Sequence, residues 1–283
     1  MKSIIQHGID GFGHQLHGLF SCLILHGINN FNFAGYEYIK KSFRFDHINE
    51  EETKIQKEYL IEVAKLFIIK YNISPMKYKT YIHSHEVYNI PKIYDINTLY
   101  SLDNAYYFNR INLNNDEQIK HLENIISMKE LFINKYLPKN RLIHNNIVIH
   151  IRLGDAMTTG RGDSITKYNE RILELLHIFY IKYPNYKYYI HTDGNVDFII
   201  DVLEKYNQLY EICGKKTKLM DVLSDFIYSK IFICGNSGLS QVCSFFGAKE
   251  LIIQNDDNTC SMPEKNTYKI SEFITAQKIV INP

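Results

Sequence analysis

Short apolar runs alternate with amphipathic segments throughout the second half of the chain. Four of the runs have the length and composition of buried strands, namely NIVIHIRL (146–153), KYYIHTDG (187–194), KIFICG (230–235) and KELIIQ (249–254). The segments between them place apolar residues at helical spacing, over 167–183, 196–207, 218–229 and 237–248. Strands that alternate with helices in this way predict a parallel sheet with helices on both faces.

The first half opens with a similar unit. A strand is predicted at KSIIQ (2–6), followed by a glycine-rich turn at 7–13 and then by a helix whose apolar positions are Leu16, Leu19, Phe20, Leu23 and Ile24. Helices are also predicted over 51–70 and 117–137, whereas the mixed stretch 72–116 indicates no particular element. We therefore predict an α/β protein with two Rossmann-like domains that face each other across a cleft, at 1–138 and 139–283.

Composition limits what the protein binds. The chain has 283 residues, 45% of them hydrophobic and 22% charged, which fits a globular protein with a sizeable core. Its net charge is +1, so no global attraction to nucleic acid or an anionic membrane is expected, and an anion has to be bound by a local site. No apolar run is long enough to predict a membrane span.

Cysteine usage and the N-terminus indicate the compartment. The cysteines lie at long spacings without a CxxC pair, at positions 22, 213, 234, 243 and 260. That pattern favours reduced thiols over a disulfide framework or a zinc knuckle. The opening segment MKSIIQHGIDGFGHQ lacks the apolar core and cleavage site of a signal peptide. We therefore expect a cytoplasmic protein.

The segment IVIHIRLGD (147–155) carries a histidine and an arginine in an otherwise apolar strand. Because side chains alternate along a strand, Val148, His150 and Arg152 are predicted on one face and three isoleucines on the other. Arg152 lies at the carboxyl end, where open α/β sheets bind ligands, and its planar guanidinium matches phosphate oxygens. The structural alternative is a salt bridge from Arg152 to Asp155 or another buried carboxylate.

Glycine-rich turns precede predicted helix starts in both halves, at GIDGFGHQ (8–15) and GNSGLSQ (235–241). Such a turn lets the backbone approach an anion closely, and the helix start offers free N–H groups. Each turn also fits a plain tight corner, and Ser237 or Ser240 fits a plain helix N-cap. Two such loops on either side of one arginine would form a site for a nucleotide diphosphate.

Four short blocks resemble the GDP-fucose-dependent fucosyltransferases, the superfamily of α1,2-, α1,6- and protein O-fucosyltransferases, and they occur in the family order. GFGHQ (11–15) resembles the N-terminal Gly-x-Gly-Asn-Gln loop, and HIRLGD (150–155) resembles the His-x-Arg signature. HTDG (191–194) is similar to the strand-end acidic segment, and residues 219–248 are similar to the last shared block.

The resemblance implies a GT-B fold and a metal-independent, inverting transfer of L-fucose from GDP-β-L-fucose to a glycan hydroxyl. It implies that Arg152 holds the donor β-phosphate, that His150 lines the donor pocket and that Asp221 accepts hydrogen bonds from guanine. Further donor contacts are implied at Gly11, Phe12, Gly13, His14, Gln15, Thr192, Asp193, Ser237, Ser240 and Gln241. The expected partners are a nucleotide-sugar donor and a glycan or glycoconjugate acceptor, without cofactor, metal or nucleic acid.

The chain departs from the family pattern at three positions. Leu153 stands where many relatives have a second arginine, His14 replaces the loop asparagine, and Gly160 replaces the acidic residue of the α1,6 enzymes. The spacing of the last block leaves the guanine-binding aspartate open between Asp221 and Asp225. The candidate general bases, among which the sequence does not choose, are Asp155, Asp163 and His14.

Other chemistry-bearing segments have simpler explanations. IHSHE (82–86) offers two histidines to a metal, but no third fixed ligand can be named. RGD (161–163) is interpreted as a solvated loop. Because it follows shortly after the strand that carries Arg152, it also suggests an active-site flap. Asp193 is either a strand-end ligand contact or the N-cap of the next helix.

Three functions therefore stay open at the level of the sequence. The first is a glycosyltransferase that uses GDP-fucose, and the second is a glycosyltransferase of the same fold with another nucleotide-sugar donor. The third is a nucleotide- or glycan-binding module without turnover, which Leu153 and Gly160 favour. The acceptor, the linkage and the oligomeric state are not predicted.

Overall fold

A computed structural model describes residues 2–8, 31–38, 80–84, 98–102, 116, 119–120, 123, 133–134, 142, 145–153, 162–192, 194–214, 217–235, 237, 240, 243, 246, 249–256 and 266–281. In residues 2–102, in 162–165 and in 278–281 this description covers the backbone alone. The chain divides into two compact units, Met1–Lys135 and Tyr136–Pro283. The sequence pattern placed the domain boundary at residue 138.

The first unit contains a four-stranded parallel sheet. Its strands are β1 (Lys2–Gly8), β2 (Phe31–Tyr38), β3 (Thr80–Ser84) and β4 (Thr98–Leu102), in the order β2-β1-β4-β3. The strand predicted at 2–6 is confirmed. β2 was not predicted, because Ala34-Gly35 interrupts its apolar alternation at the point where its register with β1 shifts. The helices predicted over 16–24 and 51–70 lie outside the described residues.

The second unit contains a six-stranded parallel sheet in the order β10-β9-β8-β5-β6-β7. Its strands are β5 (Asn146–Ile151), β6 (Lys187–Thr192), β7 (Tyr210–Cys213), β8 (Ile231–Cys234), β9 (Leu251–Gln254) and β10 (Thr267–Lys269). The chain winds outward from β5 through β6 to β7, then crosses to β8 on the other side of β5 and winds outward again. This is the doubly wound Rossmann order, which opens a crevice between the carboxyl ends of β5 and β8.

Four helices with defined bounds belong to this unit. They are α1 (Gly162–Lys182), α2 (Asp197–Lys205), α3 (Leu219–Tyr228) and α4 (Ile270–Ile281), and α1 packs against α2 and α4. Ser240 and Cys243 are helical as well, inside the helix predicted over 237–248. No helix in the described part of the chain is long and apolar enough to cross a membrane.

The alternation predicted for β5 is confirmed. Ile147, Ile149 and Ile151 are fully buried in one apolar cluster with residues of α1, α2 and α4. The opposite face lies against α3, whose Phe226 ring contacts His150 with centroids 5.2 Å apart. Both faces of the central strands are therefore covered, which explains why their sequences are almost continuously apolar.

Three elements of this unit escaped the sequence pattern, and one was placed wrongly. β7 and β10 have four and three residues, too few to show a period, whereas Ile270, Phe273 and Ile274 do show the helical spacing of α4. The loop predicted for RGD (161–163) is wrong for Gly162 and Asp163, because α1 begins at Gly162. An aspartate in a first helical turn is stabilised by the helix dipole.

The α/β class is confirmed, with a Rossmann-like parallel sheet in the second unit and a smaller parallel sheet in the first. Two such units are the parts expected of a GT-B protein. The cleft between them stays a prediction.

Candidate functional site

Two polar segments leave the second sheet at the crevice between β5 and β8. Arg152 directly follows β5 and is partly exposed, and Gly235 directly follows β8 and is buried. β5 and β8 are hydrogen-bonded neighbours, with Ile149 opposite Ile233. The arginine and the Gly-Ser turn that the sequence singled out therefore leave the sheet side by side, at the place where this fold binds ligands.

Gly235 packs directly on His150. A Cβ atom at position 235 would lie 2.5 Å from the carbonyl oxygen of His150 and 2.8 Å from its Nδ1. Contacts below 3.0 Å are essentially never made by real Cβ atoms. A residue without a side chain is thus required here, and its absence brings the loop after β8 into contact with the histidine of β5.

Ser237 joins this loop to His150 and to the following helical residues. Its hydroxyl lies 3.4 Å from Nδ1 of His150 and accepts a hydrogen bond from the backbone N–H of Ser240 at 3.2 Å, which is N-cap geometry. Ser240 is fully buried, and its hydroxyl donates to the carbonyl of Gly235 at 2.7 Å. Ser237 is partly exposed and is the better placed of the two serines to contact a ligand.

His150 is held neutral. Burial lowers its pKa to about 3, and the electrostatic influence of the neighbouring His191 and Arg152 lowers it further. The strand around it is fixed from the other face as well, since the Tyr168 hydroxyl donates to the carbonyl of His150 at 3.1 Å. A neutral imidazole can stand next to Arg152 without repelling it and can line a pocket for a ligand group.

A buried histidine–aspartate pair lies on the same face of the sheet. His191 is the register partner of His150, and its Nε2 lies 2.9 Å from Oδ2 of Asp225 on α3. The two side chains are 3% and 0% exposed. Asp225 is therefore occupied inside the protein. The sequence missed this pair, since only the strand register shows that the penultimate residues of β5 and β6 are neighbours.

The two aspartates of α3 differ in their surroundings. Asp221 lies in the first turn and is partly exposed, whereas Asp225 is buried one turn later. α3 connects β7 to β8, so it begins at the carboxyl edge of the sheet and runs back along it. The first turn of α3, which contains Asp221, thus lies toward the edge that carries Arg152. This position and its partial exposure favour Asp221 over Asp225 as the aspartate available to a ligand.

The loop after β6 packs on Leu153. A Cβ atom at Gly194 would lie 2.4 Å from Cβ of Leu153, and Leu153 packs against the apolar cluster. Thr192 is buried, and its hydroxyl accepts a hydrogen bond from the backbone N–H of Gly194 at 3.1 Å. Leu153 therefore packs between the loop after β6 and the apolar cluster, and Thr192 fixes the turn that follows β6.

The structure brings His150, Arg152, Gly235, Ser237 and Ser240 to one crevice. Other predicted site residues lie outside the described residues and stay predictions: Gly11, Phe12, Gly13, His14, Gln15, Asp155, Asp193 and Gln241. Asp163 lies in the first turn of α1, with its side chain outside the description.

No protein-family model and no curated protein matches the chain. Among solved structures, POFUT1 in complex with GDP is similar, with 12% identity, a TM-score of 0.44, and coverage of 86% of this chain and 94% of that chain. POFUT1 in complex with GDP-fucose has 11% identity, a TM-score of 0.42, and coverage of 90% and 98%. A family 9 glycosyl transferase from Veillonella parvula DSM 2008 has 12% identity, a TM-score of 0.45, and coverage of 99% of this chain and 89% of that chain. Identity at this level carries no information about substrate or catalytic residues.

Replacing Gly235 with alanine should destabilise the protein. The new methyl group would overlap the backbone and ring of His150, and overpacking of this kind costs about 1–3 kcal/mol. We expect a lower melting temperature for Gly235→Ala than for wild type. Gly214→Ala is the matched control, because its Cβ would meet no atom within 4 Å. Equal melting temperatures for the two variants would show that the close contact is absent.

The partly buried, neutral His150 should make stability fall in mild acid. The unfolded chain binds a proton at His150 below about pH 6.5, whereas the folded protein does not until about pH 3, so lowering the pH favours unfolding. Between pH 7 and pH 5 the wild type should lose about 1–2 kcal/mol relative to His150→Gln. Urea unfolding of both proteins at several pH values measures this difference, and parallel curves would contradict it.

Proposed function

We propose that the crevice between β5 and β8 binds the diphosphate of a nucleotide sugar, and that the protein transfers the sugar to a glycan hydroxyl. The support for this proposal is the Rossmann strand order, with Arg152 directly after β5 and Gly235 directly after β8, the two strands that flank the switch point. The net charge of +1 provides no other general attraction for a polyanion.

The proposed chemistry depends on charge that develops on the leaving diphosphate. Sugar–phosphate cleavage passes through an oxocarbenium-like state in which negative charge on the nucleotide is increasing. A guanidinium and a helix start held in place by the fold stabilise that charge most when it is largest, and so accelerate the step. Loss of one such donor typically raises a barrier by about 3–4 kcal/mol. Arg152 would supply this stabilisation without a metal at the diphosphate.

GDP-β-L-fucose is the donor that we propose. The support is the fucosyltransferase-like sequence blocks at 11–15, 150–155, 191–194 and 219–248, together with Asp221 at the carboxyl edge of the sheet. A carboxylate there can accept hydrogen bonds from the N–H groups of guanine, which uracil and adenine do not present in the same arrangement. The acceptor hydroxyl would attack the face opposite the diphosphate and invert the anomeric centre. The base stays open among Asp155, Asp163 and His14.

A binding module without turnover is the second candidate, and the packing of Leu153 favours it. Leu153 occupies the position next to Arg152 and packs against Gly194 and the apolar cluster, and as an apolar residue it contributes no charge to the crevice. A single guanidinium would suffice to bind a diphosphate, but transfer would be slower than with a second arginine at position 153.

Nucleotide binding and turnover together test the proposal. Calorimetric titration with GDP, UDP and ADP should show tightest binding of GDP, and GDP-fucose should release GDP faster when acceptor glycans are added. Preference for UDP or ADP would refute GDP-fucose as the donor. Binding of GDP without turnover across a broad acceptor panel would establish the binding module instead.

Arg152→Ala should lower GDP affinity or turnover at least tenfold, about 1.4 kcal/mol, while folding is retained. Arg171→Ala is the control, because Arg171 is an exposed arginine on α1 that pairs with Glu174 at 2.9 Å. Calorimetry and circular dichroism on the same samples separate binding from folding. If Arg152→Ala unfolds while activity per folded molecule is unchanged, Arg152 is a structural ion-pair residue.

Asp221→Asn should reduce discrimination between GDP and ADP. The amide presents an N–H group where the carboxylate presented only acceptors, so at least one hydrogen bond to guanine is lost, at a cost of about 1–3 kcal/mol. Asp197→Asn is the matched control, since Asp197 is an exposed aspartate in the first turn of α2. An unchanged GDP-to-ADP affinity ratio in Asp221→Asn would exclude Asp221 from base recognition.

A further inference from the structure

A row of chemically active side chains crosses three strands on the face that α3 covers. The register places His150 opposite His191, and His191 opposite Cys213. Asp225 of α3 reaches this row, with its Oδ2 2.9 Å from Nε2 of His191 and 4.0 Å from Sγ of Cys213. The row therefore joins ligand-type atoms from β6, β7 and α3 at one point.

The geometry of this cluster suits a metal ion. One ligand atom from each of His191, Cys213 and Asp225 lies within 4.8 Å of the others, and all three residues are buried. Tetrahedral zinc with ordinary bond lengths requires ligand-to-ligand distances of about 3.4–3.6 Å. The 2.9 Å and 4.0 Å separations from Asp225 reach that range with movements of about 0.5 Å or less, and the separation between His191 and Cys213 is within 4.8 Å.

The donor set also selects the kind of ion. An imidazole nitrogen, a thiolate and a carboxylate together favour zinc over magnesium or calcium, which prefer oxygen ligands. Two negative ligands neutralise a divalent cation, so the occupied site would carry no net charge into the buried interior. Burial of all three residues distinguishes the cluster from an ordinary acidic surface patch.

We propose that His191, Cys213 and Asp225 form a site for Zn²⁺ or a similar thiophilic divalent cation, with a water molecule as the fourth ligand. Binding would remove the thiol proton of Cys213 and release it to solvent, because cysteine binds zinc as a thiolate. The ion would then connect α3 to the edge strands β6 and β7. The site uses none of the residues that follow β5 and β8 at the crevice, so the inference does not depend on transferase activity.

Cobalt substitution tests the site in the full chain. The purified protein is treated with a chelator, dialysed and titrated with Co²⁺ and then with Zn²⁺. We expect one tight equivalent of Co²⁺ with a thiolate-to-cobalt charge-transfer band and the visible bands of tetrahedral cobalt. Zn²⁺ should displace the cobalt, remove both sets of bands and raise the melting temperature.

Variants assign the signal to the cluster. Cys213→Ser should abolish the charge-transfer band, and Asp225→Asn should weaken Co²⁺ binding at least tenfold. Cys243→Ser, a change at a buried cysteine outside the cluster, should leave the band intact. GDP binding, measured on the same samples, shows whether a change in the cluster also disturbs the crevice.

Two results would overturn the proposal. One is a folded wild-type protein that shows no tetrahedral cobalt spectrum, which would leave His191 and Asp225 as a hydrogen-bonded structural pair. The other is a charge-transfer band that persists in Cys213→Ser, which would place the bound ion on another thiol. Because the wild-type titration decides the first of these, the test holds even if a variant fails to fold.

Discussion

The contact between Gly235 and His150 is the constraint on which the candidate site depends. It brings the residue after β8 into direct contact with β5, the strand that precedes Arg152, and no residue with a Cβ fits there. With Gly235 in this position, the Ser237 hydroxyl lies 3.4 Å from Nδ1 of His150 and accepts a hydrogen bond from the backbone N–H of Ser240. The close approach of two backbones thus positions the polar groups of the crevice, and no long-range charge is needed to do so.

A second constraint is electrostatic. His150 stands between a guanidinium and a second histidine and is partly buried, and protonation there would add a positive charge that these surroundings disfavour. Its lowered pKa leaves the imidazole uncharged at neutral pH. The imidazole therefore adds no positive charge that would repel Arg152 at the sheet edge, where we propose that a diphosphate is bound.

The sequence predicted the parts of this unit that follow from periodicity and missed those that follow from register. Long apolar runs identified β5, β6 and β8, and alternation correctly placed His150 on the face opposite the three isoleucines. β7 is too short and too exposed to show a period, so Cys213 was not recognised as a neighbour of His191. The choice between Asp221 and Asp225 likewise depended on burial, which a pattern of four-residue spacing cannot show.

The direction of α3 connects the buried cluster to the proposed donor site. A helix that leaves the carboxyl end of β7 and returns to β8 has its first turn at the ligand edge and its second turn beneath it. Asp225 is fixed to His191 in that second turn, and one helical turn is a rise of about 5.4 Å. The position of Asp221 is therefore set by the anchoring of Asp225. A change in the contact between Asp225 and His191, whether it is a hydrogen bond or is bridged by a metal ion, would move the group that we propose recognises guanine.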